Sequence, residues 1–341
     1  AHHNHKTGGA FRRQDVNHVE MQAQGPQVQT RHHTPPPAGV PDHPYRQVAV
    51  SDAPARCEMD ARDRGVWHVR NTEALAEHPA RMTDCLVAGA QRHPDRVLAA
   101  RRGPDGAWVK LTYREMLERA RAIGQALLDR GVSTERPLAI LSGNDLEHLQ
   151  LALGAMWAGV PYAPVSPPYA LVSTDFGKLR HVFDVLTPGL VYAADGAAFA
   201  NAIDAVVPDG VEVITRDGVL PGRSATAFDT LLQTPVATAD AAQAATGPDT
   251  LVKVLFTSGS TRAPKAVPTT HRMLCSNQQM LRQTIPEFAK EPPVLVDWLP
   301  WNHTFGGSHN VGIVLYNGGT LYIDDGRPVP GNFNATLRNL H

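Results

Sequence analysis

Pro137-Leu138-Ala139-Ile140-Leu141-Ser142-Gly143-Asn144-Asp145 reads as a short, wholly apolar strand running straight into a helix cap. The residues on either side repeat that alternation. Upstream, Leu111-Thr112-Tyr113-Arg114-Glu115 opens a helix. Thr112 and Glu115 are spaced to cap it reciprocally, and Met116, Ala120, Ile123, Leu127 and Leu128 recur at helical spacing. Gly131 stands where a left-handed C-terminal cap belongs. Downstream, Asn144 or Asp145 caps a helix that runs to about Ala158 and stops at Gly159, and Val160 to Val165 forms the next strand. Further on come a helix over 175–186, a strand over 190–193, a helix over 197–206 and a strand over 211–215. Strands alternating with helices predict an α/β fold of doubly wound, largely parallel sheets flanked by helices. Residues 218–248, rich in Ala, Thr and Pro, read as a connection.

The 341 residues are 42% hydrophobic, enough for a sizeable core. A net charge of -1 argues against a nucleic-acid or membrane-surface role driven by bulk charge. No run of about 18 apolar residues predicts a membrane span. The 3 cysteines, Cys57, Cys85 and Cys275, are odd in number and widely spaced. They suggest neither a disulfide framework nor a metal knuckle, so a reducing cytoplasm is expected and no metal-ligating set is assigned. Residues 1–41 are rich in His, Gln, Pro and Gly and lack apolar periodicity, and are expected to form a disordered tail ahead of one domain over 42–341. Arginines outnumber lysines, so each lysine carries more information.

Two segments carry chemistry. In the first, the apolar run Leu251-Val252-Lys253-Val254-Leu255-Phe256 leads into Thr257-Ser258-Gly259-Ser260-Thr261-Arg262-Ala263-Pro264-Lys265, and a helix is expected from Thr269 or Thr270. Small residues let backbone approach a polyphosphate, hydroxyls and N–H groups donate to its oxygens, and Lys265 balances charge. This is not a Walker A loop, because Gly-Lys-Ser/Thr is absent. A plain strand-to-helix loop is the alternative. In the second, Val294-Leu295-Val296-Asp297 is a strand ending in Trp298-Leu299-Pro300-Trp301-Asn302-His303-Thr304-Phe305-Gly306-Gly307. Ligands of an open parallel sheet sit beyond the carboxyl ends of its strands, so both loops are expected on one edge. Phe305 can wall a pocket or pack in the core. Asn310 to Ile323 fits a hairpin or a helix, Gly turn and strand.

Thr257 to Thr261 with Pro264 and Lys265 resembles the phosphate-binding signature of adenylate-forming enzymes: acyl-CoA synthetases, peptide-synthetase adenylation domains and luciferases. That signature reads roughly Thr-Ser-Gly-Ser/Thr-Thr-Gly-x-Pro-Lys-Gly. Arg262 stands where the family has Gly; a positive φ there costs an arginine about 1–2 kcal/mol. Ala266 replaces the last Gly. The strings Asp297 to Gly307 and Val314 to Gly326 most resemble feruloyl-CoA synthases, as do Ile140 to Asn144, Gly159 to Pro167 and Asp175 to Arg180. The likeness runs from about Tyr45 to the last residue.

The resemblance implies a two-step ligation using ATP, Mg2+ and CoA on an aromatic, hydroxycinnamic or ferulate-like carboxylate. Thr257, Ser258, Gly259, Ser260, Thr261 and Lys265 would hold the phosphates, and His303 would orient the acid. It favours helix, Gly turn and strand over 310–323. It also implies that the chain is the N-terminal part of an adenylation domain, cut before the adenine-binding turn, the hinge and the C-terminal domain with its catalytic lysine. The chain alone is then expected to be inactive. A ligase for another acid, or a catalytically dead nucleotide-binding copy with a faulty loop at Arg262, are the competing readings.

Overall fold

The computed structural model describes residues 48–51, 55–60, 65–257 and 263–341. The expected tail over 1–41 lies outside the described residues.

A hairpin of β1 (Ala55–Asp60) and β2 (Val66–Asn71) comes first, then α1 (Met82–Arg92), β3 (Val97–Arg102), β4 (Trp108–Thr112) and α2 (Tyr113–Asp129). The alternating region holds β5 (Leu138–Leu141), α3 (Leu146–Ala158), β6 (Tyr162–Pro164), α4 (Pro168–Leu171), α5 (Gly177–Leu186), β7 (Leu190–Asp195), α6 (Gly196–Val206) and β8 (Glu212–Asp217). The stretch read as a connection contains β9 (Thr226–Ala227), α7 (Asp229–Leu232) and α8 (Ala239–Ala245). Next come β10 (Leu251–Thr257), β11 (Lys265–Thr270), α9 (His271–Thr284), α10 (Glu287–Lys290) and β12 (Val294–Asp297). A π-helical turn (Phe305–Asn310), α11 (Val311–Asn317), β13 (Thr320–Ile323) and α12 (Phe333–Leu340) complete the described chain.

Local chemistry explains the helix ends. Thr112 and Glu115 form the expected capping box: the Thr112 hydroxyl accepts from the Glu115 N–H, and the Glu115 carboxylate accepts from the Thr112 N–H at 2.8 Å. That exchange holds the Glu115 carboxyl below its ordinary pKa. Such a cap stabilises a helix by about 1 kcal/mol. Asp145, not Asn144, caps α3 by accepting from the Leu146 N–H, and Gly159 ends that helix in the left-handed conformation at φ 71°. Apart from Glu147, every residue of α3 is buried, as a helix apolar on all sides requires.

Two α/β sheets result. The larger has the order β11-β10-β6-β5-β7-β8-β9 and is parallel apart from β11, which pairs antiparallel with β10. The smaller has the order β12-β13-β3-β4, parallel apart from β4. Side chains alternate across the larger sheet. Leu138, Ile140, Leu190 and Tyr192 join one core with α2 and α3, whereas Ala139, Leu141, Val191 and Ala193 join another with α5 and α6. The first core also takes in Leu98, Leu111, Leu321 and Ile323 of the smaller sheet. This is the expected doubly wound, largely parallel architecture flanked by helices. The two candidate loops, expected on the edge of one sheet, follow strands of different sheets.

Candidate functional site

The first candidate segment is a hairpin rather than a strand-to-helix loop. Pairing of Thr257 with Lys265, Phe256 with Ala266 and Leu255 with Val267 brings the chain back along β10 before α9 begins. Helix α9 does start at the expected place: the Thr270 hydroxyl accepts from the Met273 N–H at 3.3 Å. Of the site residues expected here, Thr257 and Lys265 stand opposite each other at the mouth of the loop, both exposed. Ser258, Gly259, Ser260 and Thr261, and the divergent Arg262, lie outside the described residues. On the far side of the loop Pro264 is buried, and its carbonyl lies 2.9 Å from Nε2 of His181 on α5. The register Leu138–Tyr162–Lys253 aligns β5, β6 and β10, so their carboxyl ends share one edge of the larger sheet.

The second segment is held by side chains. Asn144, in the loop after β5, donates from Nδ2 to the Leu299 carbonyl at 2.8 Å and accepts from the Trp301 N–H at 3.0 Å. It thereby ties the carboxyl end of a larger-sheet strand to the loop after β12. His148 supports Asn144 from beneath: its Nδ1 lies 2.9 Å from the Gly143 carbonyl and its ring meets Trp301 edge-on at 5.2 Å. Burial pushes the His148 imidazole down to about 4, so it is neutral and Nδ1 carries the proton donated to Gly143.

The π-helical turn then folds over this loop. A Cβ on Gly306 would collide with the Leu299 and Pro300 carbonyl oxygens, and one on Gly307 with the Trp301 carbonyl oxygen. These two glycines therefore permit backbone contact. The Gly307 N–H donates to the His303 carbonyl at 2.9 Å, and the His303 side chain is exposed. Phe305 is 57% exposed with its ring 4.8 Å from that of His309, which rules out core packing for it. Helix, left-handed Gly318 and strand follow, as the resemblance implied and the hairpin reading did not.

A π-turn leaves carbonyls that an α-helix would pair otherwise, and such turns often mark functional positions. Two buried side chains donate to carbonyls of this turn. Lys253, 1% exposed on β10, donates from Nζ to the Gly307 carbonyl at 3.1 Å and to Ser308 Oγ at 2.7 Å. Gln278 on α9 donates to the Ser308 and His309 carbonyls at 3.1 and 3.2 Å. Burial pushes the Lys253 ammonium from its ordinary 10.5 down to about 7. Sequence reasoning assigned neither residue, although a lysine inside an apolar strand of a lysine-poor chain was a readable signal.

Asp297 closes the turn from the β12 side, accepting from the Leu299 N–H at 3.1 Å and from Asn310 Nδ2 at 2.9 Å. Burial raises its carboxyl pKa. A cavity of about 240 Å³ opens where the ends of β5, β12 and β13 converge, lined by Gly143, Asn144, Trp298, Asp324 and others, but by neither His303 nor Lys265. Among the described residues, no group of 3 or more His, Cys, Asp or Glu side chains is placed to hold a metal ion, and no helix is long and apolar enough to cross a membrane.

Comparison with known proteins gives these features a context. A 4-hydroxyphenylalkanoate adenylyltransferase of Mycobacterium marinum is 26% identical over 238 residues, covering 66% of this chain and 35% of that protein. A methyl-dioxo-octahydroindenyl-propanoyl:CoA ligase of Rhodococcus jostii is 28% identical over 256 residues, covering 72% and 48%. The chain thus spans less than half the length of these curated relatives. The crystal structure of a fatty acyl-adenylate ligase from L. pneumophila, in complex with acyl adenylate and pyrophosphate, superposes with a TM-score of 0.57 at 19% identity, covering 74% of this chain and 41% of that one. Its likeness is one of fold. The AMP-binding enzyme family matches residues 86–340, most of the chain and both candidate segments, and the protein belongs to that family.

Proposed function

We propose that the complete protein activates an aromatic, ferulate-like carboxylic acid with ATP and passes the acyl group to CoA. The observation that carries this reading is the Thr257–Lys265 pair, exposed at the carboxyl end of a buried parallel strand, at the mouth of a loop of hydroxyl residues and glycine. A carboxylate is a poor electrophile. Its attack on the α-phosphate of ATP forms a C–O–P linkage and expels pyrophosphate; the thiol of CoA then attacks the acyl carbon and displaces AMP. Catalysis of phosphoryl transfer rests on positioning and on stabilising charge. Thr257 and its successors through Thr261 donate to phosphate oxygens, Lys265 supplies a cation, and His303 orients the carboxylate. Mg2+, when bound, neutralises phosphate charge.

The relatives support the two halves of the reading separately. One is named for adenylating a 4-hydroxyphenylalkanoate, an aromatic acid, and another for ligating an acid to CoA. The test uses the complete protein with ferulate, ATP and Mg2+. Ferulate-dependent release of pyrophosphate marks the first step, and feruloyl-CoA formed on adding CoA marks the second. Turnover with benzoate, cinnamate or a fatty acid in place of ferulate reassigns the acid. Turnover with none of them, in the wild type and in Arg262→Gly alike, removes the adenylation reading; recovery in Arg262→Gly locates the defect in the loop.

A further inference from the structure

We infer that Lys253 is a positioning residue that couples the phosphate-loop strand to the turn carrying His303. The inference rests on the role proposed above for His303. Its geometry is a relay of two bonds. Lys253 Nζ donates to the Gly307 carbonyl at 3.1 Å, and the Gly307 N–H donates to the His303 carbonyl at 2.9 Å. A second arm reaches Ser308 Oγ at 2.7 Å. Lys253 lies four residues before Thr257 on β10, so one strand bears on both candidate segments.

The chemistry argues that this link is more than core filling. An ammonium buried to 1% exposure is costly unless paired, and the partners of Lys253 are a carbonyl and a hydroxyl rather than a carboxylate. A methionine of similar length would fill the same space without that cost. What methionine cannot supply is a charge-assisted donor to the Gly307 carbonyl. Gln278 secures the neighbouring carbonyls of Ser308 and His309 from α9, so the turn is fixed from two elements. Only the Lys253 arm begins on the strand that ends in the phosphate loop.

The experiment is a mutant cycle in the complete protein, read as ferulate-dependent pyrophosphate release. His303→Ala alone tests the role of the imidazole; if it has no effect, that role falls and the cycle is not the cause. Given a loss in His303→Ala, Lys253→Met is expected to lower kcat/KM for ferulate tenfold or more while KM for ATP stays within twofold. The double variant is expected to be no worse than His303→Ala. Ser308→Ala, which removes one acceptor and leaves the charge, is expected to cost about fivefold and to be likewise non-additive. It decides the matter should Lys253→Met fail to fold. Losses that multiply with that of His303→Ala, or unchanged kinetics in both variants, overturn the inference.

Discussion

The two candidate segments reach the protein surface by opposite means. Around the loop after β10 the described residues pair by main chain: β11 returns along β10, and His181 meets the Pro264 carbonyl. The turn after β12 is anchored by side chains drawn from three other elements: Asn144 after β5, Lys253 on β10 and Gln278 on α9. A hairpin mouth can adjust to a flexible polyphosphate at little cost. A turn gripped by buried polar groups holds one geometry, which suits a residue that must orient a rigid acid. If so, substitutions around the second segment should be far more damaging than those around the first.

The largest effect is expected from pH. Burial moves the Lys253 ammonium from 10.5 in the unfolded chain to about 7 in the fold. The unfolded state therefore binds the extra proton between those values, and stability rises with pH across that window. Below about 7 both states are charged and the full cost of burial is present. The shift corresponds to at most roughly 5 kcal/mol, or about 1.4 kcal/mol per pH unit. Urea unfolding of the wild type and of Lys253→Met from pH 6.5 to 10 should show the wild type gaining on the variant as pH rises. Parallel curves would show that the site does not titrate in this way. Burial also lowers the His148 imidazole, to about 4, so in the fold it stays neutral throughout this range.

Next in size is Gly307→Ala, whose Cβ has no room beside the Trp301 carbonyl. A loss of about 3 kcal/mol is expected, a fall in Tm of roughly 5–10 °C by calorimetry. Gly143→Ala, with nothing within 4 Å of the added Cβ, serves as the control and should change stability by less than about 0.5 kcal/mol. Asn144→Ala removes two hydrogen bonds to backbone groups and should cost about 2 kcal/mol. On the other segment, His181→Ala loses a single contact and should cost under about 1 kcal/mol in the same melts. An equal loss in His181→Ala and Asn144→Ala would erase the contrast.

What was legible in the sequence was local. The capping box at Thr112, the strand at Leu138, the left-handed glycine at 131 and the helix stop at Gly159 each follow from a few neighbouring residues, and each stands where expected. The elements that escaped depend on distant partners. Lys265-Ala266-Val267-Pro268-Thr269-Thr270 has a proline and no clean alternation, and becomes a strand because β10 is there to pair with it. The smaller sheet needs β13 beside β3, more than 200 residues apart, with the Thr320 hydroxyl donating to the Val97 carbonyl. No pattern within either segment announces that pairing. For the site, the residue types around Thr257 and His303 were visible, whereas the grip of Asn144, Lys253 and Gln278 appears only once the chain is folded.

Strand β11 has a consequence for the solution behaviour of the protein. It forms one border of the larger sheet, and a sheet border is an invitation to add strands from other molecules. Pro268 sits in the middle of that border and has no amide hydrogen to offer an incoming chain. The opposite border, β9, is only 2 residues long. Among the described residues, neither rim gives a newcomer a continuous row of donors and acceptors, so these strands are a poor template for growth edge to edge.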